Sequence, residues 1–141
     1  MKLKLTFTSN NIKYVTADEV KKKSSGISRK GYFDTDMEWD DASDPITVKF
    51  TNTTYIDKAL PDDEKAKVKK HEERHFTDFK KLVDKMKTDV EGALKAKRDP
   101  QISDRIDWLK YDRCIKSAAF HREDDGYSVE ICDKPSSKRP D

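Results

Sequence analysis

The sequence predicts an α+β fold, a small and mostly antiparallel sheet packed on one long helix. Three observations predict it. Before residue 60, apolar and polar residues alternate in short stretches, the period of half-buried strands. From Asp62 to Glu91 neither glycine nor proline interrupts a run whose apolar residues recur at steps of three and four, the period of a helix with one buried face. At 141 residues, 41% charged and 33% hydrophobic, the chain can bury one modest core and not two. Residues 1–134 are therefore expected to form a single domain, with 135–141 as a loose, flexible tail.

Leu3, Leu5 and Phe7 alternate with Lys2, Lys4, Thr6 and Thr8, which makes a first strand. Asn10-Asn11 is expected to turn the chain. In Thr16-Ala17-Asp18-Glu19 the Thr16 hydroxyl and the Glu19 carboxylate can each satisfy a backbone donor of the other. A short helix should follow to Ser25 and end at a left-handed Gly26. Phe33, Thr35, Met37 and Trp39 share one face of a second strand. Residues 40–45, Asp-Asp-Ala-Ser-Asp-Pro, have turn chemistry and lack the spaced ligands and glycine of a calcium loop. Ile46, Val48 and Phe50 mark a third strand, and the polar stretch from Thr51 to Tyr55 is expected to continue it as an edge able to receive an extended peptide.

Leu60-Pro61 followed by Asp62, Asp63 and Glu64 opens the long helix. Proline suits a first turn, and acids complement the positive end of the helix dipole. Lys95, Lys97 and Arg98 close it, and Asp99-Pro100 restarts the chain. Ile102, Ile106 and Leu109 carry another helix, ending somewhere between Tyr111 and Phe120. His121 to Gly126 then reads as a turn into a last strand with Tyr127, Val129 and Ile131 inward.

Within the long helix lies His71-Glu72-Glu73-Arg74-His75. Residues four apart stand one turn above each other, so two imidazoles can face one ion with a carboxylate beside them. With three histidines in the chain, random placement yields about 0.004 such motifs. Val68, His71, Glu72, His75, Phe76, Phe79, Leu82, Val83, Met86, Val90 and Leu94 follow one another at helical steps, which puts both histidines and Glu72 on the inward stripe. His71 and His75 are thus expected to bind Zn²⁺, with Glu72 as the general base toward a zinc-activated water. A third ligand is needed. Glu91 lies sixteen residues beyond His75, about 24 Å along an unbroken helix, too far for the same ion. His121, the remaining histidine, is the expected third ligand, with Glu123, Asp124, Asp112 or Glu130 as alternatives. Tyr127 is the expected donor to the oxyanion, beside Tyr111 and Arg122.

Thirty basic and 28 acidic residues are finely interspersed for a net charge of +2, so neither nucleic acid nor a membrane surface is the expected partner. A monomer acting on a protein or peptide is expected. No apolar run has the length of a membrane span, and the first residues alternate in a way that no signal-peptide core does. Cys114 and Cys132 permit one disulfide or two buried thiols; joined, they would tie the end of the third helix to the last strand.

From Tyr14 to Cys114 the chain resembles a family of small bacterial proteins described as secreted zinc-dependent proteases and classed as a domain of unknown function. Tyr14-Val15-Thr16 before the capped helix, the Thr35 to Trp39 strand, Leu60-Pro61, and His71-Glu72-Glu73-Arg74-His75 carry the resemblance. Arg74 stands where members of that family usually have glycine. Tyr111-Asp112 matches part of their C-terminal signature, and no Thr-x-His-Gly follows it. The resemblance implies a zincin-like peptidase, exported and therefore secreted or periplasmic. The rival expectation is a non-enzymatic interaction or inhibitor domain in which a metal only fastens the fold.

Overall fold

The protein is described by a computed structural model covering all residues, Met1–Asp141. Four strands and three helices follow in the order β1 (Leu3–Phe7), β2 (Asn11–Val15), α1 (Ala17–Lys23), β3 (Gly31–Asp40), β4 (Ile46–Asp57), α2 (Asp62–Lys95) and α3 (Ile102–Asp125).

Strand β4 organises the sheet, since β1, β2 and β3 all pair with it. β3 reaches it through the short connection over residues 41–45, while at the far end Asp57 N donates to Lys30 O at 2.9 Å. That pairing is therefore an antiparallel hairpin along one whole edge of β4. The other edge is shared. Ile46 N donates to Lys2 O at 2.9 Å and Thr8 N to Phe50 O at 3.0 Å, so β1 and β4 advance together. β2 also runs parallel to β4, in register from Asn11 opposite Thr53 to Val15 opposite Asp57. The sheet is thus mixed and mostly parallel, which corrects the mostly antiparallel sheet that the sequence predicts. Alternation marks the buried face and is the same for either strand direction, so it carries no information on this point.

Two further expectations are corrected at the same edge. Asn10-Asn11 does not turn the chain; β2 takes up the edge of β4 where β1 leaves it. Nor is β4 an edge, because its polar residues Asn52 and Thr54 are buried at 1% and 0% exposure. They bridge the gap between β1 and β2. Asn52 N donates to Thr8 Oγ1 and Asn52 Nδ2 to Thr8 O, both at 2.8 Å, and Thr54 Oγ1 donates to Asn10 Oδ1 at 2.9 Å. Side chains here replace the ladder bonds that the interrupted edge cannot supply.

Contacts divide the chain into two compact units. One comprises Leu5–Asp40 and Val48–Thr77. Val48, Phe50 and Ile56 of β4, Phe33 of β3 and Val20 of α1 are buried there. Thr16 caps α1, its Oγ1 accepting from Glu19 N at 3.2 Å. The reciprocal bond takes another form, with the Thr16 hydroxyl turned to Glu19 Oε1 at 3.4 Å. The helix stops at Lys23, two residues before the expected end, and Gly26 at φ 84° donates to Lys21 O at 2.8 Å.

The other unit comprises Met1–Lys4, Asp41–Thr47 and Asp78–Asp141. Phe79, Val83, Met86, Val90 and Ala93 of α2 and Ile102, Ile106, Trp108, Leu109, Ala118 and Phe120 of α3 form its core. Helix α3 continues to Asp125, well past the expected end, and closes at Gly126 with φ 83°. No strand follows it. Tyr127, Val129 and Ile131 are 67%, 48% and 88% exposed, which corrects the inward last strand. Alternation over so few residues is met equally by a chain tied down at the polar positions between. Cys114 and Cys132 are bonded, with Cα atoms 5.6 Å apart. The segment 135–141 also makes contacts. Arg139 grips Asp112 with two bonds of 2.7 and 2.8 Å and lies 4.2 Å from the Trp108 ring centre, and Arg105 donates to Asp141 O.

Candidate metal centre

Helix α2 is unbroken for 34 residues, about 51 Å, and its inward stripe is the one that the sequence predicts. His71 and His75 are partly buried and Glu72 is 5% exposed. A buried carboxylate beside two histidines on a Lys- and Glu-rich helix needs a close fit, and Gly31 at the start of β3 provides it. A Cβ on Gly31 would lie 2.4 Å from Val68 Cγ1, 3.2 Å from Tyr55 O and 3.4 Å from Glu72 Cγ. Only a residue without a side chain lets this turn of α2 come so close. On the same stretch of α2, Phe76 packs on Phe7 at 5.5 Å and on Phe33 at 5.9 Å between ring centres. Phe7 in turn meets Phe50 at 6.0 Å. Backbone contact before the histidines and aromatic packing after them fix the rotation of the helix.

The two imidazoles converge. His71 Nε2 and His75 Nε2 are 3.2 Å apart, close to the separation of about 3.3 Å for two nitrogens each ~2.0–2.1 Å from one tetrahedral ion. Glu72 Oε1 lies 4.0 Å from His71 Nε2, beside that point and not in place of a ligand. His121 is 7% exposed, on the last turns of α3 and not at the helix-to-turn boundary that the sequence predicts. Its donor nitrogen and those of His71 and His75 lie within 4.8 Å of one another. His71, Asp124 and Asp125 form a second group within the same limit.

A cluster of histidine and aspartate side chains thus suits a divalent metal ion. The chain matches no protein family, no curated protein and no solved structure. The donor set fits a metal that favours imidazole.

The other residues singled out in the sequence are placed elsewhere. Glu91 is exposed on the same unbroken helix, as its distance along the axis requires. Tyr111 sets its ring edge-on to Trp108 at 5.7 Å. Arg122 is exposed, and Tyr127, just past the end of α3, is largely so. Glu130, named as an alternative ligand, instead meets His121 through Nδ1. Asp125, which joins the second group, carries no signal in the sequence, since it stands at no recognisable ligand spacing from the motif.

Proposed function

We propose that this chain is a metal-binding domain in which His71, His75 and His121 hold one divalent ion, with zinc as the ion best suited to three imidazoles. The observation that carries the reading is the convergence of the three donor nitrogens within 4.8 Å. In its plainest form the ion fastens the fold, and Asp124 or Asp125 can complete the coordination through the second group. The experiment is metal analysis of protein purified without chelator or histidine tag. One equivalent in the parent and none in His71→Ala supports the reading; a metal-free parent that takes up no zinc on titration overturns it.

A second reading is favoured by Glu72, buried to 5% and 4.0 Å from His71 Nε2. Here the site hydrolyses peptide bonds. The ion would act as a Lewis acid toward the scissile carbonyl and the attacking water. Glu72 would accept the proton of that water and pass it to the leaving amine, while the Gly31 contact keeps its carboxylate oriented. Tyr127 or Arg122 would supply an oxyanion donor only on closing over substrate. Kinship with the small secreted zinc proteases rests on the His71 to His75 motif and goes with this reading. The bonded cysteines support export to an oxidising compartment under either one. Glu72→Gln separates the two: zinc retained with peptide cleavage lost supports hydrolysis, and a parent that cleaves no peptide from a mixed library supports the fastening ion.

A further inference from the structure

We propose that Glu130 is a positioning residue of the metal centre: it holds His121 by Nδ1, fixing the tautomer that leaves Nε2 for the metal. The proposal rests on the metal-binding reading and is indifferent to whether the ion is catalytic. A ligand histidine commonly donates its second ring N–H to a carboxylate, which fixes both ring orientation and tautomer.

The contact is built from both sides. Glu130 Oε1 meets His121 Nδ1, and the two side chains are only 13% and 9% exposed. Ser117, one turn before His121 on α3, donates its hydroxyl to the same Oε1 at 3.3 Å. Ser128 donates its hydroxyl to Oε2, and its Oγ accepts from Glu130 N at 3.2 Å. A carboxylate with this many donors is held in place and is not a mobile surface group.

The disulfide explains why an irregular segment can do this. Cys114 and His121 are seven residues apart, two turns along one side of α3. Cys132, bonded to Cys114, pins the returning chain two residues beyond Glu130. Between helix end and disulfide the apolar Tyr127, Val129 and Ile131 face outward, while Ser128, Glu130 and Cys132 face α3. The alternation in this stretch thus serves the polar side. With Nδ1–H given to Glu130, the lone pair of Nε2 is available to an ion without a prior proton shift.

The test uses the full chain in three measurements. In the metal-free parent, titrated until the imidazole signals show the neutral form, nitrogen chemical shifts should show His121 protonated at Nδ1; protonation at Nε2 overturns the proposal with no variant needed. Zinc affinity, read by competition with a chromophoric chelator, should fall about 10–100-fold in Glu130→Ala. In Glu130→Gln it should fall less, because the amide oxygen still accepts from Nδ1–H. The Glu130→Ala protein should also show the His121 proton moved to Nε2, which a purely structural role for Glu130 does not require. Parent affinity in Glu130→Ala overturns the proposal. His121→Ala keeps the two levels apart: if it binds zinc as the parent does, the three-histidine reading has failed, whereas loss in His121→Ala with none in Glu130→Ala rejects only the role of Glu130.

Discussion

Helices α2 and α3 both carry histidines of the candidate metal cluster, but they use their surfaces differently. The buried residues of α2, Glu72, Phe79, Val83, Met86, Val90 and Ala93, fall within an arc of about 80° at 100° per residue. In α3, Ile102, Arg105, Ile106, Leu109 and Phe120 share one face, while Trp108, Ala118 and His121 point roughly 100–160° away from Ile102. One helix buries a single face; the other is buried on several sides. The polar segment after α3 covers the His121 side through Glu130 and the disulfide, and the 135–141 segment covers Trp108. A helix with one buried stripe directs its histidines by spacing alone, whereas one buried on several sides relies on chain from outside the helix to orient them.

The largest effect should fall on the ligands. His75→Ala on α2 and His121→Ala on α3 should each lower zinc affinity by more than about 100-fold with little change in helix content. If only the α2 variant does so, α3 contributes no ligand and the comparison breaks. Next comes the core that the helices share in one unit, where the Arg113 guanidinium lies 5.7 Å from the Phe79 ring centre. Phe79→Ala should cost about 3–5 kcal/mol in denaturant unfolding. A loss below about 1 kcal/mol would mean that this contact does not hold α3.

A smaller effect sharpens the contrast within α3. Replacing both Cys114 and Cys132 by serine, which opens a link across a sequence separation of 18, should cost about 3 kcal/mol. Hydrogen exchange should then rise first over residues 114–125 and not over 102–109. Uniform loss of protection would contradict a division of labour along the helix. Smallest is Arg139→Ala, at most about 1 kcal/mol, because the side chain is half exposed and such pairs are screened. The bond to Asp112 raises the Arg139 pKa above its ordinary value, opposed by slight burial and aided by the Asp112 and Tyr111 charges. A raised cation pKa stabilises fully below the unfolded value and is lost only above the folded one. The guanidinium therefore contributes unchanged through neutral and mildly alkaline pH, and equal stability differences between parent and Arg139→Ala at about pH 7 and 9 would confirm it.

The same contrast explains what the sequence could express. His71, Glu72 and His75 were legible because a helix converts spacing into direction. Their burial followed from the stripe that they share with Phe79 and Val83. His121 could be named as the histidine remaining once Glu91 was excluded by helix rise, but its place inside α3 could not be read, because it is buried on a side of the helix away from the Ile102 stripe. Glu130 could be named only as an alternative ligand, and its contact with His121 was beyond reach, since its partner is chosen by a disulfide and not by a period. In the sheet, Asn52 and Thr54 misled for a physical reason. Buried polar residues look like an exposed edge until their partners Thr8 and Asn10, 44 residues earlier, are known.

That long separation has a consequence for how the chain assembles. The β3–β4 hairpin closes over a short connection, whereas every bond that β1 and β2 make to β4 joins residues some forty positions apart, from Lys2 with Ile46 to Val15 with Lys58. Loop closure of that length is slower and comes after the local hairpin. The N-terminal strands should therefore dock last, and pulse-labelled amides of β1 and β2 should gain protection after those of β3; simultaneous protection would refute the order. Until they dock, one edge of β4 stands unpaired with Asn52 and Thr54 unsatisfied, and a second chain can occupy it. The interrupted edge is then the point at which crowded refolding goes astray, and dilution or a tethered N-terminus should recover the yield.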